Sequence, residues 1–358
     1  MGVRALVIAL ALALVACGSS SGDRAAVSRG PTATSPGREP FIPLPRTAAP
    51  LVTTPPVEAP ALPLNGCPPP PPKPGAGTPP PAFVPPHFVP EAELPEALAA
   101  GSWTASTDAL AGKGMWLWKV KLTENGDANA IVNRAAAAGL RQLWVRVGDT
   151  ESRFYAKDFL DQVVPLAHRR GISVIGWGFP YLFDPADDAA WSADALAWRG
   201  PRGEALDGFS PDLELNSEGV AVSPRRLEVY LGLVRKAAAN RLVVATVYRP
   251  TDRLWTTYPY QAVSAYVDAF APMVYWGCVE PGAATLQAIE RLKALRPVHT
   301  IGQAYDSTAD GGRTAAPSAH ETNRFLDVSR REGALGASFW VWQYMDDEQW
   351  SAMSAFGW

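Results

Sequence analysis

Asp207-Gly208-Phe209-Ser210-Pro211-Asp212-Leu213-Glu214, near the middle of the chain, is the stretch that decides the predicted fold. It has the character of a buried strand that ends in two carboxylates. Side chains two residues apart on a strand point to the same face, so Asp212 and Glu214 should face one pocket. At a rise of about 3.3 Å per residue, the two carboxyl groups lie close enough to raise the pKa of one of them. Strand ends of this kind line the active-site mouth of a (β/α)8 barrel.

Short apolar runs rich in β-branched and aromatic residues alternate with helical patterns between residues 101 and 358. This alternation predicts an α/β fold with parallel strands. Eight strands in about 240 residues favour a single closed (β/α)8 TIM barrel over an open doubly wound sheet. Gly139, Gly171 and Gly333 are placed to end three of the helices as C-caps. The strands are predicted at 115–120, 142–147, 172–178, 208–214, 242–248, 270–276, 298–304 and 336–343, and the clearest helices at 127–139, 155–170, 224–239, 283–295 and 318–332.

The first 16 residues carry one arginine followed by an unbroken apolar stretch, which is typical of a secretory signal peptide. Leu14-Val15-Ala16-Cys17 looks like the lipobox of bacterial lipoproteins, which implies lipidation at Cys17. We therefore expect an extracytoplasmic protein anchored to a bacterial membrane by lipid, with an ordinary signal peptide and a chance cysteine as the alternative. Residues 17–100 contain most of the 35 prolines and predict a disordered Pro-rich linker that precedes the barrel at 101–358.

Composition excludes several functional classes. The net charge of −3 and the absence of any basic stretch argue against nucleic acid as a partner. The four histidines are scattered without metal-ligand spacing, so we predict no metal site and no cofactor. An exported compartment permits a disulfide between Cys67 and Cys278, but two unpaired thiols fit the sequence equally well.

Aromatic, amide and charged residues are concentrated at the predicted strand ends. Aromatic rings offer apolar faces to the C–H face of a sugar, while polar groups bind its hydroxyls. Bulky residues also line barrels for packing alone, so any single ring is weak evidence. The residues that we predict to bind substrate are Trp116, Arg146, Trp177, Tyr275, Gln303, Tyr305, Asp306, Trp340 and Trp342.

The segment from Asp207 to Glu214 resembles the fourth-strand signature of chitinase-like family 18 glycoside hydrolases, aspartate-glycine-x-aspartate-x-aspartate-x-glutamate. Met273-Val274-Tyr275 resembles the sixth-strand motif of that family, and Phe339-Trp340 its eighth-strand tryptophan. The resemblance implies that Glu214 is the general acid/base, that Asp212 orients an acetamido group of the substrate, and that Tyr275 hydrogen-bonds that group. Two residues depart from the family pattern: Ser210 replaces one signature aspartate, and Trp276 stands where chitinases often carry an acidic residue. The resemblance therefore implies the general acid/base role of Glu214 more strongly than it implies a substrate-assisted mechanism.

Two further resemblances are shorter. The Asp-x-Glu pair, together with Trp342-Gln343-Tyr344, resembles the family 25 lysozymes, which cut peptidoglycan. Gly112-Lys113-Gly114-Met115-Trp116 and Ile301-Gly302-Gln303-Ala304-Tyr305-Asp306 resemble a group of exported bacterial proteins related to glycoside hydrolases. This last resemblance implies the barrel more strongly than it implies a reaction.

Two functions fit these patterns. The first is a glycosidase that acts on peptidoglycan or another envelope or extracellular polysaccharide, with Glu214 and Asp212 as catalytic residues. The second is a barrel that binds glycans without cutting them and serves as a cell-wall adhesion or scaffolding module. Arg146 has two candidate roles, as the counterion of Asp212 or Glu214 or as the ligand of a substrate carboxylate. A Glu214 held in an ion pair with Arg146 and covered by Trp342 would favour the binding module.

Overall fold

The computed structural model describes residues 66–67, 87–101, 103, 105–307 and 313–358. The predicted signal peptide, Cys17 and most of the predicted linker lie outside these residues.

Eight parallel strands close into a barrel, because the first strand pairs with both the second strand and the last. The TIM barrel expected from the sequence is confirmed, and each predicted strand is present within three residues of its predicted bounds. A two-residue strand, β3, adds antiparallel to β2 outside the barrel. The strands are β1 (Gly112–Leu117), β2 (Gln142–Asp149), β3 (Arg153–Phe154), β4 (Ser173–Phe179), β5 (Gly208–Leu213), β6 (Leu242–Tyr248), β7 (Ala269–Val274), β8 (Thr300–Gln303) and β9 (Gly336–Trp340).

Helices follow the strands and cover the outside of the barrel. Gly139, Gly171 and Gly333 follow three helix ends with φ of 67°, 66° and 79°, the left-handed conformation that glycine adopts without strain. The five helices predicted from the sequence are present. Four further helices, which the pattern did not predict, lie at Pro185–Ala197, Asp252–Thr257, Tyr260–Ser264 and Asp347–Ala355. The helices are α1 (Ala128–Ala137), α2 (Lys157–Arg169), α3 (Pro185–Ala197), α4 (Pro224–Ala238), α5 (Asp252–Thr257), α6 (Tyr260–Ser264), α7 (Pro281–Leu292), α8 (Ala319–Arg331) and α9 (Asp347–Ala355).

The apolar residues form two packed clusters. The larger cluster lies between the strands and the helices, and the smaller one fills the inside of the barrel. Leu110, just before β1, is fully buried and belongs to the inner cluster. The bottom of the barrel is therefore filled, and the carboxyl ends of the strands form the open mouth.

Residues 87–98, which the sequence assigned to the linker, pack along the outside of the barrel. The Val89 N–H donates to the Phe183 carbonyl at 3.0 Å, and the buried Arg226 guanidinium donates to the Val89 carbonyl. Lower down, the Tyr266 hydroxyl donates to the Leu98 carbonyl at 2.9 Å. Backbone hydrogen bonds and burial thus tie the chain to the barrel from Val89 onward, and the boundary at residue 101 stays a prediction.

A disulfide joins Cys67 to Cys278 in the loop between β7 and α7, with a Cα–Cα distance of 5.7 Å. The Gly66 carbonyl beside it accepts a hydrogen bond from the Thr314 N–H at 2.9 Å. In the part of the chain that the structure covers, no helix has the length and apolar character needed to cross a membrane.

Candidate active site

The two carboxylates of the central stretch lie at the carboxyl end of β5, where the backbone is fixed on both sides. Asp212 and Leu213 pair in register with Thr246 and Val247 of β6. The Tyr258 hydroxyl donates to the Leu213 carbonyl at 2.7 Å and so fixes the end of the strand. Glu214 is the first residue after β5, and the rigid strand determines the direction of its side chain.

Glu214 is partly buried, and one of its carboxylate oxygens is buried without a hydrogen-bond partner. Burial raises the pKa of Glu214 to about 7, against a hydrogen bond from the Tyr248 hydroxyl that lowers it. The exposed Glu218 carboxylate nearby adds to the rise. A carboxyl group with this pKa exists in both protonation states near neutral pH, which is what a general acid/base requires.

Asp212 is only 5% exposed, and its Oδ1 has no hydrogen-bond partner. Burial holds the pKa of Asp212 well above its usual range, the Glu214 charge raises it further, and the Arg146 guanidinium lowers it. The two carboxyls therefore share a setting that favours a bound proton over two negative charges.

In the family 18 signature, the position two residues before Asp212 carries an aspartate. Here that position carries Ser210, which forms a neutral hydrogen-bonded pair with Thr246. The Ser210 hydroxyl donates to the Val244 carbonyl at 2.7 Å and lies 2.8 Å from the Thr246 hydroxyl. Both side chains are buried. Ser210 therefore completes the core here and supplies no carboxylate to share charge with Asp212.

A cavity of about 380 Å³ lies in front of Glu214. The Tyr275 and Tyr305 rings meet edge to face at 5.7 Å on one side of it. Both tyrosines were predicted to bind substrate, and the structure places them with Glu214 in one cavity. The described residues that line it are Glu214, Glu218, Tyr248, Arg249, Thr251, Leu254, Met273, Tyr275 and Tyr305.

A second cavity of about 660 Å³ continues along the mouth, because it shares Glu218 and Tyr305 with the first. Asp306 and Trp340, both predicted to bind substrate, lie in its wall. The other lining residues are Trp118, Ala316 and Tyr344. The mouth is therefore an extended groove with aromatic walls.

Trp116 and Trp177, which the sequence predicts to bind substrate, are not among the residues that line this groove. Each is 1% exposed, inside the barrel beneath Trp340. Trp116 stacks on Trp144 at 4.7 Å, and its indole N–H donates to the Ser338 hydroxyl at 2.9 Å. These rings fill the barrel interior, where no ligand in the mouth reaches them.

Gln303 and Trp342, also predicted to bind substrate, are likewise not among the residues that line the groove. Gln303 is 1% exposed, and its side chain bonds the Gly277 N–H and the Tyr305 carbonyl, so it holds two loops together. Trp342 is 3% exposed and packs edge to face on Trp350 at 4.8 Å, in the outer cluster between the barrel and its helices.

Arg146 pairs with Asp149 at 2.9 Å, so neither carboxylate of the β5 pair is its direct partner. Its guanidinium also lies 5.3 Å from the centre of the Trp177 ring, and its Nε has no hydrogen-bond partner. The effect of Arg146 on Asp212 is therefore a charge effect without a shared hydrogen bond.

Sequence reasoning gave no role to Tyr248 or Arg249, although Tyr248 was noted as a strand end. They close β6 beside Glu214 and line its cavity. The signal was present, because their position matches that of the Asp212–Glu214 pair on the neighbouring strand. Among the described residues, no group of three or more His, Cys, Asp or Glu side chains is arranged to hold a metal ion.

No protein-family model and no curated protein matches the sequence. Solved structures share its fold. A chitinase from Chromobacterium violaceum ATCC 12472 is 12% identical, with a TM-score of 0.51, over 68% of this chain and 98% of the chitinase. The spore cortex-lytic enzyme SleL from Bacillus cereus is also 12% identical with a TM-score of 0.51, over 69% of this chain and 74% of SleL. These similarities show that the chain has the TIM-barrel fold of these two proteins, and they lend no support to the family 25 resemblance.

Proposed function

We propose that the protein is a glycoside hydrolase that acts on cell-envelope or extracellular polysaccharide, with Glu214 as its general acid/base. The observation that carries this proposal is a carboxyl group with a pKa of about 7 that faces an open, tyrosine-walled cavity at the mouth of the barrel. Glycosidases need a carboxyl that is protonated at working pH to donate to the leaving oxygen. The neighbouring groove has room for a sugar chain beyond the bond to be cut.

In the proposed reaction, Glu214 gives its proton to the glycosidic oxygen while the bond from that oxygen to the anomeric carbon breaks. The released sugar leaves as an alcohol. The Glu214 carboxylate then accepts a proton from the water that adds to the anomeric carbon, which restores the acid form. No external oxidant, metal or cofactor takes part.

Asp212 assists this step from below. A buried carboxylate oxygen without a partner is costly, and a substrate N–H or O–H that binds to it removes that cost. The family 18 resemblance suggests an acetamido N–H as the donor, with Tyr275 contacting the same group. Because Asp212 is 5% exposed, we assign it to orientation and not to direct attack on the anomeric carbon.

A glycan-binding module without catalysis is the second candidate, and Ser210 is the feature that favours it. A neutral residue in place of a signature aspartate leaves the charge of Asp212 without its usual partner. The site geometry favours the hydrolase, because Arg146 pairs with Asp149 and leaves Glu214 free of an ion pair with it, and because Trp342 packs away from the cavity.

The location follows from the N-terminal pattern alone. We propose removal of residues 1–16, lipidation at Cys17 and anchoring of the barrel outside the cytoplasm. Labelling with a radioactive fatty acid tests this, since Cys17→Ser should abolish the label.

The catalytic proposal is tested by release of reducing ends from peptidoglycan, chitin oligomers and acidic polysaccharides by the full chain. Glu214→Gln should reduce release by about 10²- to 10⁴-fold, the usual contribution of a general acid/base. Glu290→Gln is the matched control, because Glu290 is an exposed carboxylate on α7 that is not among the residues lining either cavity, and its loss should change the rate by less than about threefold. No release from any glycan, with binding retained in both proteins, would select the binding module.

A further inference from the structure

A third cavity, of about 540 Å³, lies at the β1–β2 side of the mouth. It shares Trp118 with the aromatic groove, so the three cavities form one continuous path that begins at Glu214. Its lining is Trp118, Lys119, Val120, Lys121, Leu122, Arg146, Tyr155, Ala156, Asp158 and Phe159. We call this the basic cavity.

The two ends of the path differ in charge. The Glu214 end carries Asp212, Glu214 and Glu218, with Arg249 as the cation in the cavity wall. Among the described residues that line it, the basic cavity carries three cations, Lys119, Lys121 and Arg146, and one carboxylate, the exposed Asp158; the charge of Arg146 is in addition paired with Asp149. A ligand that extends along the groove from Glu214 to Trp118 therefore meets the two exposed lysines at its far end.

Lys119 and Lys121 are exposed and form no salt bridge with any residue that the structure describes. The Lys119 ammonium lies 4.0 Å from the centre of the Trp118 ring, which holds this cation against the groove wall. Arg146 is fixed by Asp149 at 2.9 Å and keeps its Nε without a partner. Lys119 and Arg146 are thus fixed near aromatic rings, and the exposed ammonium groups of Lys119 and Lys121 can donate to a ligand.

The same cavity offers faces for a sugar ring. Tyr155 and Leu122 are 48% and 64% exposed, which is unusual for large apolar side chains, and Trp118 is partly exposed. Aromatic faces beside cationic donors suit a pyranose that bears a negative group.

We propose that the basic cavity is a subsite for an anionic sugar, so that the substrate is an acidic glycan. This inference rests on the proposed function for the path along which the glycan lies, and it adds the chemical class of the substrate. Carboxylates of lactyl-bearing or uronic sugars and phosphodiesters of a polymer share the required chemistry.

The experiment measures binding with the full chain carrying Glu214→Gln, so that no ligand is cut. The probes are peptide-free peptidoglycan strands and chitin oligomers of the same length, which differ by the lactyl carboxylate. Polygalacturonate is compared with its methyl ester, and a phosphodiester-linked teichoic acid with its phosphate-free repeating unit. Which acidic probe binds more tightly than its neutral match identifies the source of the charge.

Adding Lys119→Gln and Lys121→Gln together should weaken binding of the preferred acidic probe by about five- to tenfold and change binding of its neutral match by less than about twofold. High salt should reduce the preference for the acidic probe in the chain that keeps both lysines to the level of the chain that lacks them. Lys236→Gln, an exposed lysine on α4, is the control and should have no effect.

Equal binding of acidic and neutral probes in every pair, or an unchanged preference in the double variant, overturns the subsite. A failure of the proposed hydrolysis is distinguishable from a failure of the subsite. In that case the wild-type chain releases no reducing ends, while the preference for the acidic probe persists. Circular dichroism of the double variant shows whether the fold is intact, and both lysines are exposed in the folded chain.

Discussion

The two halves of the barrel interior are built on opposite principles. On β1, β2, β4 and β9, buried tryptophans pack ring against ring: Trp116, Trp144 and Trp177 are at most 1% exposed, and Trp340 lies over them. On β5 to β7, the corresponding side chains are Asp212, Tyr248 and Tyr275, with the Glu214 carboxyl beyond them. In the tryptophan half the Trp144 indole Nε1 also lacks a hydrogen-bond partner, but it lies inside the packed rings; in the carboxylate half the unpartnered oxygens of Asp212 and Glu214 lie at the strand end beside a cavity. Unmet hydrogen-bonding capacity at a strand end is a better guide to function here than aromatic content.

The largest stability change is expected in the tryptophan half. Trp144→Ala removes a fully buried ring stacked on Trp116, so the free energy of unfolding should fall by about 3–5 kcal/mol. Urea denaturation followed by circular dichroism measures this. Trp255→Ala, at a ring that is 38% exposed, is the control and should cost far less. Equal losses in both variants would remove the distinction between the halves.

The opposite result is expected for Asp212→Asn. Asparagine keeps the shape of the buried carboxyl, and the raised pKa of Asp212 already favours its neutral form. The free energy of unfolding should therefore change by less than about 1 kcal/mol. Glycan cleavage should fall by about 10²-fold or more, because asparagine cannot ionise and so cannot offer a negatively charged oxygen to the substrate N–H or O–H. A large loss of stability with cleavage retained would make Asp212 a structural carboxylate of the barrel mouth.

The carboxylate half should also give stability a pH dependence. The pKa of Glu214 is raised from 4.5 to about 7 on folding, so the folded chain binds more protons than the unfolded chain between these values. The stabilisation is complete below about pH 4.5 and is lost as the pH rises through about 7. Denaturation curves at several pH values should therefore show a fall that Glu214→Gln reduces, with the remaining fall coming from Asp212, whose pKa is also raised. The same slope in the variant would assign the effect to another group.

Tyr248→Phe should have the smallest effect. The phenol hydrogen bond lowers the pKa of Glu214, so its removal should raise that pKa and extend the acid form to higher pH. The basic limb of the pH–rate profile should move upward by less than about one pH unit. A downward shift would contradict the assigned hydrogen bond.

Much of the fold was accessible from periodicity, because strands buried on both faces give continuous apolar runs and the helices between them end at glycine. Periodicity also placed Asp212 and Glu214 together at the mouth. Periodicity does not show how deep inside the barrel a side chain lies, which is why the sequence predicts that Trp116 and Trp177 contact substrate. The prediction for Trp342 has another origin. It assumes a strand that continues to residue 343, whereas β9 ends at Trp340, so side chains no longer alternate between the two faces at Trp342.

The loops were less predictable. A register shift in β2 just after Arg146 accompanies its pairing with Asp149, three residues ahead in the sequence. Lys119 and Lys121 lie in the turn after β1, where no periodic pattern marks them. Their relation to the groove depends on how separate loops meet in space, which a single sequence does not encode in a readable form.

The central claim is that Glu214 is a carboxyl that changes protonation near neutral pH. Carbon NMR of the full chain with labelled glutamate, titrated from pH 3 to 9, tests it most directly, and Glu214→Gln identifies the resonance. The account predicts one side-chain carboxyl with a midpoint of about 7 that disappears in the variant. Glutamate resonances that all titrate near the ordinary value of about 4.3 would contradict it.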